Sequence, residues 1–284
     1  MNKKTKSFLS LMAAALAMVN LSSCGDEVST NIKEYDPNPV VIVPEPIMNN
    51  GHECVDLGCS VYWSDANVGS ETPNGQGWYF AWGGLVIHTS DVVADPRNFG
   101  QVYEFGSTLD NQNLTDVTKY NTTDNLTTLE VADDAARLHW GGTWRIPTKA
   151  EFQELMDSCY WEWTNNYKNT NRKGFIVFKA KAKEDKGTVK YDGLGVTKLD
   201  GKSIALKEKY SINNVTDTCI FLPAAGFRRE RILDSDNKEG NYWTSTVYDG
   251  HKAFAYSCFF YNQRAEINDF KRVYGCNVRA VCDK

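Results

Sequence analysis

The sequence predicts an α+β fold with two main helices and short antiparallel sheets. Three observations point there. The C-terminal part carries four short apolar runs at turn-like spacing: YWTSTVY (242–248), AFAYSCFFY (253–261), AEINDFK (265–271) and NVRAVC (277–282). Residues 160–181 read as a hairpin whose loop is the polar stretch NNYKNTNRKG. Between these β segments and the N-terminal ones stands one well-marked helix, in TWRIPTKAEFQELMDSC. Thr148 and Glu151 form a capping box there, each side chain satisfying a backbone N–H at the helix start. Phe152, Leu155, Met156 and Cys159 follow as one apolar stripe. Strands grouped beside helices, without strict βαβ alternation, give the α+β class.

The chain begins with Lys3, Lys4 and Lys6, an apolar stretch from Phe8 to Leu21, and then LSSC ending at Cys24. Residues 1–23 read as a signal peptide whose end resembles the lipobox of bacterial lipoproteins, with Cys24 as the lipidated residue. A chance cysteine after an ordinary signal peptide is the alternative. Lipid at Cys24 would anchor the chain to a membrane without spanning it. No other segment has the roughly 18 apolar residues that a span needs. Residues 24–50 contain four prolines and scattered acids and read as a tether. Asp26 and Glu27 weakly resemble a surface-export signal of Bacteroidetes lipoproteins, which places the protein at the outer membrane, facing the cell surface.

In the remaining domain, 51–284, HECVDLGCSVYWSDANVG (52–69) reads as two strands broken by Gly58, and GWYFAWGG (77–84) as an aromatic strand. Residues 85–128 and 182–217 read as polar insertions. LEVADDAARLHW (129–140) is the other helix, with Val131, Ala135 and Leu138 at helical spacing and the glycines 141–142 as its stop. CIFLPAAGFR (219–228) is a buried strand turning at Pro223 and Gly226, and RERILDSDNKEGN a polar loop.

The net charge of −5 comes without a basic run, which argues against nucleic acid as a partner. Eight tryptophans and fourteen tyrosines suit both cores and binding surfaces. Beyond Cys24 seven cysteines remain, an odd number, so at least one thiol stays free or pairs between chains. Cys54 with Cys59, and Cys276 with Cys282, are near enough in sequence to pair, but spacing alone leaves the connectivity open. No CxxC spacing suggests zinc, and no HExxH, GxSxG, phosphate-loop or dinucleotide motif is present. No cofactor is expected. His139, beside Trp140, reads as a packed or capping residue.

HECVDLGCSVYWSDANVG, YFAWGG, WGGTWRIPTKAEFQELMDSCYWEWT, IFLPAAGFR, YWTSTVY and YGCNVRAV occur in the order of, and resemble, the Fibrobacter succinogenes major paralogous domain family of Bacteroidetes lipoproteins. The resemblance implies a C-type-lectin-like fold, shared with formylglycine-generating enzymes. It does not by itself imply a function. The calcium-dependent lectins of that superfamily use EPN or QPD with WND, oxygen-rich sets suited to Ca²⁺. The nearest string here, EPI at 45–47, lies in the tether. The reactive-cysteine segment of the oxidases has no match around Cys159, Cys219, Cys258 or Cys282. The chain's end also resembles variable proteins diversified by retroelements, in which C-terminal strands and loops bind ligand.

AFAYSCFFY does not alternate as a half-buried strand should. In the register implied by the resemblance, Tyr256, Cys258 and Phe260 face the core. Phe259 and Tyr261 then face outward, and with Phe254, Asp249, His251 and Arg264 they make a recognition surface of stacking area and orienting polar groups. Tyr248, Ser257, Asp269, Phe270 and Tyr274 complete the expected ligand-binding set, and Val273 sits among these variable-type positions. If an insertion covers this face, the strand is simply central. Glu162, between Trp161 and Trp163, lacks the second carboxylate a glycosidase needs and reads as the outward residue of a strand. Trp243, Arg145 and Arg228 read as scaffold, with buried arginines expected to pair with acids.

The sequence therefore predicts a non-catalytic receptor that binds an extracellular glycan or protein. A structural subunit of a fimbria or envelope complex is the alternative, with PVVIVPEP as its candidate donor strand. A formylglycine-generating-type oxidase is the enzymatic one.

Overall fold

The structure is a computed structural model that describes residues 45–87, 103–108, 114–188, 206–229, 232–262 and 264–284. Cys24, the signal segment and the tether as far as residue 44 lie outside the described residues, as do parts of both insertions. The architecture is mixed α+β, mostly antiparallel sheets with few helices.

The first sheet gathers both ends of the described chain. β1 (Ile47–Asn49) forms a hairpin with β2 (His52–Val55), β2 pairs with β3 (Val61–Ser64), and β3 pairs on its other side with the last strand, β14 (Val281–Asp283). Trp63 stands between Val55 and Val281 in this sheet. Ordered structure thus begins before residue 51, since Ile47–Asn49 is a strand and not tether.

GWYFAWGG is not a ladder strand. It makes one isolated bridge, Phe80 with Cys276, and the glycines turn the chain away. Its aromatic side chains are nevertheless fully inside: Tyr79, Phe80 and Trp82 are buried. The 85–128 segment is likewise more than an excursion. Its β4 (Ser107–Thr108) and β5 (Leu114–Thr115) form a small hairpin, and Tyr103, Phe105, Leu114 and Tyr120 join the largest core cluster.

The helix expected over 129–140 is broken. Val131–Asp133 is a 3-10 turn, and α1 (Ala135–Trp140) starts anew because the Asp134 side chain accepts the N–H of Arg137 and caps it. The buried face is Ala135, Ala136 and Trp140, whereas Val131 is 67% and Leu138 57% exposed. Of the expected stripe only Ala135 faces the core. Gly141, at φ +65°, ends α1 as the glycine pair suggested. α2 (Lys149–Ser158) has both halves of the Thr148–Glu151 capping box, and Phe152, Leu155, Met156 and Cys159 are all buried.

β6 (Cys159–Thr164) and β7 (Gly174–Lys179) form the predicted hairpin, and β8 (Cys219–Pro223) adds to it. Trp161 is buried with α2. Glu162 is half-buried, within hydrogen-bond reach of Tyr160, so it is less outward than expected. The 182–217 region contributes Leu206 and Tyr210 to a third cluster with Tyr160, Phe178 and Phe221. The polar loop after Gly226 is instead a hairpin of β9 (Phe227–Arg229) and β10 (Ile232–Asp234).

The last sheet is a meander of β11 (Glu239–Val247), β12 (Phe254–Tyr261) and β13 (Arg264–Lys271). It lies between two cores. Trp243, Val247 and Ala255 belong to the first cluster, with Trp82 and Trp144; Tyr242, Cys258, Phe260 and Ala265 belong to the second, with Trp63, Phe152 and Phe175.

Two arginines cross these layers fully buried. Arg272 donates to the Tyr103 hydroxyl and to the Lys252 and Lys119 carbonyls, and stacks on Trp82. Arg279 donates to Asn67 Oδ1 (3.0 Å), Ser64 O (3.2 Å) and Phe221 O (2.7 Å). The expectation that buried arginines pair with acids holds for partly exposed Arg145, which grips Glu151 and Asp283. It fails for these two, whose acceptors are carbonyl, amide and hydroxyl oxygens. Burial lowers the pKa of both guanidiniums.

Candidate functional site

Side chains directly opposed across an antiparallel ladder share one face. The register of the last sheet therefore sorts the expected ligand-binding residues without further assumption. One face carries the rungs Trp243–Ser257–Asn268, Asn241–Phe259–Glu266 and Glu239–Tyr261–Arg264. The other carries Tyr242–Cys258–Ile267 and Gly240–Phe260–Ala265, together with Tyr256 opposite Asp269 and Phe254 opposite Lys271.

This answers why AFAYSCFFY is apolar on both sides. The strand serves two cores at different points along its length. Cys258 and Phe260 pack on one face, Ala255 on the other. Only the far end of the second face, at Phe259 and Tyr261, is left half-open.

There the two rings lie 5.9 Å apart. The Arg264 guanidinium sits 5.4 Å from the Tyr261 ring centre and 3.0 Å from the Glu266 carboxylate. Across the sheet, half-buried Glu239 faces Tyr261, and fully buried Asn241 faces Phe259. Asn241 Nδ2 donates to Glu239 Oε1 at 3.4 Å. Burial raises the Glu239 pKa above its ordinary value, and the Asp234 carboxylate nearby adds to the shift. Glu239 and Asn241 were missed in the sequence because they lie in what reads there as the tail of a polar loop. Only the pairing of β11 with β12 puts them beside the aromatic pair.

The expected surface is not one surface. Tyr248 and Asp249 lie with Tyr256: the Tyr256 hydroxyl donates to Asp249 Oδ2 at 3.1 Å, and the Tyr248 ring is 5.2 Å away, edge-on. Lys149, at the start of α2, places its ammonium 3.6 Å from the Tyr256 ring centre. Tyr256 is thus half-buried at a surface, not in the core as its register suggested. This group, with Asp269, is on the face opposite Phe259. His251 is exposed, its Nδ1 accepting the Ala253 N–H and its ring edge-on to Phe254, which packs against the first core. Phe270 and Tyr274 form a third group with Phe227, at 5.0 Å and 5.7 Å from its ring. Ser257 is fully buried, its hydroxyl 3.5 Å from the Asn268 carbonyl, so it is unavailable to a ligand; Val273 is buried as well. Strand alternation, invisible in a list of variable-type positions, is what separates these residues.

Other sites offer less. An open groove of about 240 Å³ is lined by Leu129, Asp134, Arg137, Arg145 and Thr148. Its Asp134 already accepts the Ile146 and Arg137 N–H groups, and Arg145 is taken by Glu151 and Asp283. His139 packs beside Trp78 and Phe80, with Nε2 3.0 Å from the Leu85 carbonyl, as a packed residue should. Among the described residues no group of three or more His, Cys, Asp or Glu is placed to hold a metal ion. No helix among them is long and apolar enough to cross a membrane. Burial pushes the Cys54 thiol up to about 12 and the Cys219 thiol to about 11, so both stay protonated near neutral pH.

The raised Glu239 pKa carries a pH dependence. A carboxyl that holds its proton more tightly in the folded than in the unfolded chain disfavours folding when ionised. The cost is fully present above the raised value and disappears below about 4.5, the ordinary one. Glu239→Gln is expected to gain stability relative to the parent above that window and to lose the gain below it. Urea titrations at several pH values measure this; a gain that does not change with pH would mean that Glu239 is not ionised at the top of the range.

Comparison of the chain with protein-family models, with characterised proteins and with solved structures finds no match.

Proposed function

We propose that the chain is a cell-envelope lipoprotein whose C-type-lectin-like domain recognises an extracellular glycan or protein without catalysis. The observation that carries this reading is the half-open end of an otherwise packed sheet face. Phe259 and Tyr261 offer stacking area there, and Glu239, Arg264 and Glu266 stand around them as orienting polar groups. Aromatic rings beside hydrogen-bonding charges suit the apolar faces and hydroxyl rims of sugars, and equally the anchors of a protein interface. The site is narrower than the sequence suggested: Tyr248, Asp249 and Asp269 belong to the opposite face, and Ser257 has no part in it.

The test is binding of the protein to a panel of glycans and extracellular proteins, beside the Phe259→Ala/Tyr261→Ala double variant. Binding is expected to fall at least tenfold, about 1.4 kcal/mol. Because the two rings are half-buried, each truncation should cost stability on the order of 1 kcal/mol, not the 3–5 kcal/mol of a fully buried aromatic. Undiminished binding by a folded double variant would place the site elsewhere.

One observation favours the structural-subunit reading. β1 is the edge of the first sheet, and Ile47 and Met48 on it are 47% and 54% exposed. Among the described residues no strand pairs with the outer side of β1, and an edge with apolar side chains is where another strand can add.

A further inference from the structure

Two pairs of buried thiols meet in the core, and neither is one that sequence spacing suggested. Cys54 Sγ lies 3.4 Å from Cys282 Sγ, and Cys59 Sγ lies 4.0 Å from Cys159 Sγ. Their backbones tell the pairs apart.

Cys54 is on β2, opposite Ser64, and Cys282 is on β14, opposite Tyr62. β2 and β14 are the two neighbours of β3, so the cysteines sit on either side of an intervening strand. Two strand spacings are about 9–10 Å. A disulfide needs Cα atoms about 4.4–6.8 Å apart and cannot form beyond about 7 Å without backbone movement. Closing this bond would have to draw β2 and β14 together across β3. The shorter sulfur contact is therefore the one the sheet order resists.

Cys59 and Cys159 carry no such constraint. Cys59 lies in the irregular turn between β2 and β3, and Cys159 at the junction of α2 and β6. No strand runs between them in the sheet order. The turn is already held against α2, since Glu154 accepts from both the N–H and the hydroxyl of Ser60. Cys159 Sγ also points back to the Leu57 carbonyl at 3.7 Å.

We propose that Cys59 and Cys159 form the one native disulfide of this domain, and that Cys54 and Cys282 remain thiols in contact. The bond arises by thiol–disulfide exchange with a small disulfide such as oxidised glutathione. One cysteine, as thiolate, attacks a glutathione sulfur and releases one glutathione thiolate. The second cysteine then displaces the other. The two cysteines lose two protons and two electrons, and the glutathione disulfide gains both to become two thiols. Both sulfurs are buried, so exchange takes place during folding. The oxidising envelope that the leader sequence suggests is the setting in which the bond would persist.

The full chain, refolded from denaturant in a glutathione redox buffer, is alkylated with N-ethylmaleimide and digested without reduction. The expected result is a linked peptide pair containing Cys59 and Cys159, with Cys54 and Cys282 recovered as alkylated thiols. In the same experiment the Cys59→Ala variant should yield alkylated Cys159 and no new linked pair. Melting of the oxidised parent should be higher than after full reduction, and this difference should vanish in the Cys59→Ala variant. Alkylated Cys59 and Cys159 from the folded parent would overturn the proposal. A Cys54–Cys282 linked peptide would overturn the argument from strand order.

Discussion

Replacing Arg279 with leucine is expected to cost the fold about 3–5 kcal/mol. The guanidinium is fully buried and donates to three oxygens: Ser64 O at the end of β3, Asn67 Oδ1 in the following turn, and Phe221 O in β8. Leucine fills part of the volume and removes every donor. Each buried acceptor left without a partner costs about 1–3 kcal/mol, so the upper end for three exceeds the expected loss. An offset runs the other way. Burying a charge without a carboxylate is itself unfavourable, and the lowered pKa of Arg279 records that cost, which the leucine variant no longer carries. Lysine keeps the charge but cannot span three acceptors on two sheets and a turn, so Arg279→Lys should recover little. Denaturant unfolding of both variants decides the matter. A loss below about 1 kcal/mol in Arg279→Leu would mean that the three oxygens find other donors.

Gly226→Ala is the second large effect, about 2–4 kcal/mol. Gly226 holds φ at +66°, where a side chain costs about 1 kcal/mol or more. The larger part is steric. A Cβ there would lie 2.0 Å from the Asp234 carbonyl oxygen and 2.8 Å from the Asp236 nitrogen, both backbone atoms that cannot rotate away. The β9–β10 hairpin would have to move off the turn. That movement reaches the candidate site, because the Gly226 N–H donates to the Glu239 carbonyl at 2.7 Å and fixes the first residue of β11. A thermal shift of roughly 5–15 °C follows from the known scaling for domains of this size. Weakened ligand binding should accompany it. An unchanged melting temperature would show that the hairpin gives way without cost.

Local signals were the legible ones. The capping box at Thr148 and Glu151, the Gly58 break and the polar loop of the β6–β7 hairpin each depend on residues a few positions apart, and each stands in the structure. What depended on distant packing was not legible. Val131 and Leu138 have helical spacing but point to solvent, because Asp134 stops one turn and starts the next. Tyr120 lies in a polar stretch yet is wholly buried under Trp82 and Arg272. The candidate site was half legible. Phe259, Tyr261 and Arg264 were named from the strand itself, while Glu239 needed the ladder partner. The shift of register between Trp243 and Val247 also changes which residues of β12 face which residues of β11. That irregularity has no signature in YWTSTVY.

The position of β14 sets the order in which this chain can become a protein. β3 cannot complete its sheet until Trp63 meets Val281, and Ser64 waits for the Ala280 carbonyl and for Arg279. Arg279 follows Ser64 by 215 residues along the chain. Closure of the first sheet is therefore dominated by contacts of very high sequence separation, which form slowly. A chain cut short before Asn277 would be left with its first sheet open on the β3 side and is expected to be as sensitive to protease as a denatured one.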